Sequence, residues 1–148
     1  MTVKAIATLP AHGYQFICID DDSGETDIDK RLSEPEIVLG FVVTQNEWSN
    51  HPTTLSVHPV TAHGVHLDHV AGSIALLRPD GKVDVVNGPY TRSAPFDSLH
   101  DLKQHIRYQE AECYQETAID MTKDGDRKGA ASMRRVAREL RNAIDEND

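Results

Sequence analysis

Apolar residues along this chain follow two periods, and the change comes near Asp97. Before it, Val3–Leu9, Tyr14–Asp20, Glu36–Thr44 and Thr53–Thr61 are runs rich in Val, Ile, Phe and Thr, punctuated by Gly, Pro, Asp or Asn. β-Branched and aromatic side chains suit a pleated, half-buried surface, so these runs predict strands. Gly72–Val86 predicts a hairpin, because Pro79 presets the first turn angle and Gly81 accepts a left-handed backbone. After Asp97 the spacing is helical. Ser98 with Asp101 three residues on resembles a capping box, and Leu99, Leu102, Ile106, Cys113, Tyr114 and Met121 share one face, predicting a helix over about 98–121. The polar T-K-D-G-D break precedes a second amphipathic helix, carried by Met133, Val136, Ala137, Leu140, Ala143 and Ile144 and ending near Asp145. Strands first and helices last predict an α+β fold in a single domain, 1–148. About five or six mainly antiparallel strands occupy the sheet-rich 1–95, and two C-terminal helices follow in 97–146.

Composition narrows the class without naming a function. The 148 residues suffice for one core, and 39% hydrophobic with 26% charged is ordinary for a globular chain. The longest apolar stretch, Ile37–Val43, is too short to cross a bilayer, so no membrane partner is expected. Met1–Ala11 carries one Lys and a broken apolar run, unlike a secretory signal, which makes the cytoplasm the expected location. Cys18 and Cys113 are far apart in sequence and read as buried thiols rather than a disulfide or a thiolate metal site.

Net charge is −9, unevenly distributed. Up to Thr122 there are 8 basic and 18 acidic residues, whereas Lys123–Arg141 has 7 basic and 3 acidic. An anionic body repels phosphates, so nucleic acid is an unlikely partner except through the basic C-terminal helix. The acidic run, with Asp21, Asp22, Glu25 and Asp27, can steer a basic protein partner, and Arg134, Arg135 and Arg138 on the last helix can meet an acidic one. Glu110 falls in the middle of an apolar helical stripe, where a carboxylate should either snorkel to the edge or meet a cation, such as an arginine of the next helix.

The densest chemistry is T-A-H-G-V-H-L-D-H-V-A-G, with His63, His66, Asp68 and His69 within seven residues. H-L-D-H-V-A-G-S-I-A-L-L resembles part of the H-x-H-x-D-H signature of the metallo-β-lactamase superfamily, with Gly64 where the first His of that signature stands. The resemblance implies a small metal-dependent hydrolase in which zinc, held by His66, Asp68 and His69 with His63 nearby, activates a water. A strand through the segment would split the set, because side chains alternate and His63 and His69 would face away from His66 and Asp68. The primary expectation is therefore a small acidic, non-enzymatic protein-binding or regulatory module with no cofactor. The zinc hydrolase is the alternative.

Overall fold

The computed structural model describes residues 2–20, 25–65 and 73–146. The architecture is α+β, with two antiparallel four-stranded sheets followed by two long helices. Two compact units are formed, one from Met1–Asp20 with Leu32–Asp97 and one from Asp21–Arg31 with Ser98–Asp148.

The first unit holds both sheets. Sheet A contains β1 (Thr2–Pro10), β4 (Gly40–Trp48), β5 (His51–Thr61) and β6 (Gly64–Val65), in the order β1-β4-β5-β6. Sheet B contains β2 (Gln15–Ile19), β3 (Glu36–Ile37), β7 (Ser73–Leu77) and β8 (Val83–Asn87), in the order β3-β2-β7-β8. The strand total exceeds the five or six expected, because Glu36–Thr44 divides into β3 and β4, and because β3 and β6 are only two residues long. A two-residue strand has no alternation for a sequence pattern to display.

Sheet B carries the apolar core of this unit. Phe16, Val38 and Ile74 cluster, with Ala11, Tyr14, Cys18, Phe41 and Leu76 packed around them. Tyr14 meets Phe41 edge to face, with ring centroids 5.5 Å apart. The other side of β2 and its neighbours is also withdrawn from solvent, at Ile17, Ile19, Ala75, Val83 and Val85. The predicted hairpin closes through Gly81, at φ +88°, while the Arg78 guanidinium grips Asp84 with bonds of 2.6 and 2.8 Å. Sheet A differs. Every residue of β1 is exposed, and a β-bulge between Ala5 and Ala7 interrupts the pairing of β1 with β4 at Ile6.

The second unit is a helical hairpin with a short helix beside it. These are α1 (Ile28–Arg31), α2 (Leu99–Lys123) and α3 (Arg127–Glu146). Ser98 caps α2 by accepting the Asp101 N–H at 3.1 Å, as the spacing predicts. Gly125, at φ +85°, permits the reversal, and Asp126 caps the first turn of α3 through the Gly129 N–H at 2.9 Å. Leu102, Ile106, Ala111 and Ala118 of α2 are buried, as are Ala130, Ala137 and Leu140 of α3. Cys113, expected on the buried stripe, is exposed instead. Alanines seven residues apart on both helices form the seam, and that seam passes one side of Cys113. Glu110 does meet a cation. One partner is Arg31 of α1, at 3.2 Å, with the Arg31 and Glu110 side chains only 2% and 14% exposed.

Candidate functional site

The residues singled out for charge and metal chemistry are only partly among the described ones. Asp21, Asp22, His66, Asp68 and His69 lie outside the described residues. Of the remaining acidic-run residues, Glu25 accepts the Asp27 N–H at 2.9 Å and Asp27 accepts the Asp29 N–H at 3.1 Å, which orders the entry to α1. Asp29 pairs with Lys103 of α2 at 2.7 Å, and that hydrogen bond and charge hold its carboxyl below the usual range. These carboxylates therefore have local tasks within the helical unit.

On α3, Arg134 donates to Thr122 Oγ1 at 2.8 Å, while Arg135 and Arg138 are exposed. Arg141 reaches Glu112 at 3.0 Å. His63 sits in the turn after β5, 74% exposed, with its Nδ1 3.0 Å from Glu36 Oε1. Among the described residues, no three His, Cys, Asp or Glu side chains gather as a metal would require. Burial, and after it the Glu36 charge, pushes the Cys18 thiol up; burial and nearby glutamates do the same to Cys113. Raised thiols are mostly protonated near neutrality and lack the character of activated nucleophiles.

The surface that stands out is sheet A, and its register explains why. Leu9, Phe41 and Pro59 are opposite one another, followed on the same face by Ala7, Val43 and Val57, and then by Lys4, Gln45 and Leu55. Val57 is 54% and Leu55 66% exposed, and Val3, Ile6, Leu9 and Val65 are nearly half exposed. Apart from Pro59, the described side chains that sheet A buries are polar. Thr44 Oγ1 and His58 Nε2 hydrogen-bond at 2.9 Å across β4 and β5, and Thr61 is also buried. At the other end, Leu9, Pro10, Leu39, Phe41, Val42 and Val65 line part of a groove of about 570 Å³.

Charge is nearly absent from this sheet. Its three long strands hold one lysine, Lys4, and one acid, Glu47. In sequence, Glu47 is the single Asp, Glu, Lys or Arg between Ile37 and Val65, within a chain that is 26% charged. That gap was readable in the sequence as a stretch depleted of charge. No helix among the described residues is long and apolar enough to cross a membrane. No protein-family model, no curated protein and no solved structure matches this chain.

Proposed function

We propose that the protein is a non-enzymatic, cytoplasmic protein-binding module, and that sheet A is its contact surface. The observation that carries this reading is the coincidence, on one sheet, of exposed Leu55, Val57, Leu9 and Ile6 with an almost complete lack of charge. A contiguous apolar patch in water is unfavourable by roughly 25 cal/mol per Å² left exposed, and on a soluble domain such a patch marks a contact site. The groove beside Phe41 adds a concave apolar seat. The acidic segment and the basic face of α3 then tune encounter and solubility, since most of their described members already serve the helical unit.

Site-specific photo-crosslinking in cells tests this. A benzophenone amino acid replacing Leu55 is expected to yield a discrete protein adduct, and the same group replacing Arg135 is expected to yield none. Absence of any adduct at position 55 would overturn the reading. A discrete adduct at 135 alone would move the contact to the arginine-rich face of α3.

A further inference from the structure

We propose that the solvent-facing stripe of α3 binds the phosphate backbone of double-stranded DNA without reading its base sequence. This contact is separate from sheet A and does not depend on the reading of that sheet.

At about 100° per residue, Arg127, Arg134 and Arg138 fall within about 40° of one another on α3, and Lys128, Arg135 and Arg141 widen the basic arc to about 140°. From Arg127 to Arg141 the stripe is about 21 Å long. Arg127, Lys128, Arg134, Arg135 and Arg138 are all exposed. Arg141 pairs with Glu112 and Arg134 bonds the neutral Thr122 hydroxyl, while Arg127, Lys128, Arg135 and Arg138 form no ion pair among the described residues. Between Asp126 and Asp145 the helix carries a single acid, Glu139, at the margin of the arc beside Lys128.

Helix stability does not account for this stripe. Arg127 and Lys128 occupy the first turn, which holds no acid, although the positive end of the helix dipole disfavours cations there. Arg134 with Arg138, and Arg135 with Arg138, are like charges about one turn apart, which also disfavours the helix. A polyanion lying along the stripe would offset both costs. Outside Lys123–Arg141 the chain has 8 basic and 21 acidic residues, so its cations are gathered on this helix rather than spread for solubility.

The chemistry of the arc narrows the anion. Packing takes up the apolar side of α3, where Ala130, Ala137 and Leu140 are buried, and Ala131 is the one apolar residue within the basic arc. A protein contact needs an apolar centre and a membrane-surface helix needs an apolar face for the bilayer, and the arc offers neither. Interfaces with DNA are polar and strongly positive, and a guanidinium fork matches a phosphate with two bonds. No aromatic residue lies on α3, which removes the stacking that holds single strands. A helix about 10–12 Å across enters the roughly 12 Å major groove of B-form DNA, with Arg134 toward one phosphate rim and Lys128 and Arg135 toward the other; the major groove of duplex RNA is too narrow.

Fluorescence anisotropy of the purified full chain with mixed-sequence DNA duplexes, across a salt series, provides the test. Contact with about five phosphates predicts an affinity that falls roughly 500-fold between about 50 and about 200 mM salt and is the same for duplexes of different sequence. Arg135→Gln with Arg138→Gln is expected to weaken binding at least about tenfold and to reduce that salt effect to roughly 40-fold. Lys4→Gln with Lys82→Gln changes the net charge equally and should alter affinity by less than about twofold. All four side chains are exposed, so helix content by circular dichroism should be preserved in both variants. Absence of binding at about 50 mM salt would overturn the proposal. Equal losses in the two paired variants would do the same, because net charge alone would then explain the binding. Tighter binding to duplex RNA, to polyglutamate or to phosphatidylserine vesicles would also overturn it, in favour of that anion.

Discussion

Sheets A and B are equal in strand number and lie in the same unit, yet they meet water in opposite ways. Sheet B hides Phe16, Ile17, Ile19, Ile74 and Val83, whereas sheet A leaves Val3, Leu9, Leu55 and Val57 exposed and buries Thr44 and His58. Equal amounts of strand therefore do not imply equal contributions to stability. Apolar burial holds sheet B, and backbone pairing with one buried polar contact holds much of sheet A.

The largest expected effect separates the two directly. Phe16→Ala should cost about 3–5 kcal/mol of unfolding free energy, because a fully buried ring leaves a cavity. Leu55→Ala should change stability by less than about 0.5 kcal/mol in dilute protein. Urea denaturation measures both, and comparable losses at the two positions would break the contrast.

Next in size is the polar row inside sheet A. Thr44→Val removes the 2.9 Å bond to His58 Nε2 while keeping the shape, and should cost about 1–3 kcal/mol. Amide exchange in β4 and β5 should accelerate more than in β2 and β7. A neutral substitution would show that backbone pairing alone supports the strand pair.

The smallest effect is one of pH. The Cys18 thiol, in sheet B, is pushed up by burial and then by Glu36. A pKa raised on folding gives stability that is fully present below the ordinary thiol pKa and is lost as pH rises through the raised folded value. Urea midpoints of the wild-type chain should therefore fall between neutral and alkaline pH, with a shallower fall in Cys18→Ser. Parallel falls in the two proteins would remove Cys18 as the cause.

Much of the fold was legible because its signals were local. Ser98 as a cap, the break at Gly125 and the turn at Gly81 each depend on a few adjacent residues whose chemistry permits one conformation. Glu110 was half legible: its place on an apolar stripe asked for a cation or a reach to the edge, but Arg31 lies 79 positions away in a four-residue helix with no periodicity to announce it. Cys113 misled because a single helical stripe allowed no shift toward the buried alanines. The exposed face of sheet A was the hardest to foresee. Alternation tells which side chains share a face, not whether anything covers that face, and only the missing charges between Ile37 and Val65 hinted at it.

The bulge at Ile6 also bears on how far an assembly can grow. A sheet with two regular, uncharged edges can add chains without end and become a fibre. In sheet A, β1 is kinked at Ile6, carries Lys4 and finishes in Pro10, which has no N–H to donate. A bulge, a lysine and a terminal proline each blunt an edge strand against pairing with another chain. Straightening β1 by deleting Ile6 would be the change to fear, since a regular edge opens the way to polymers.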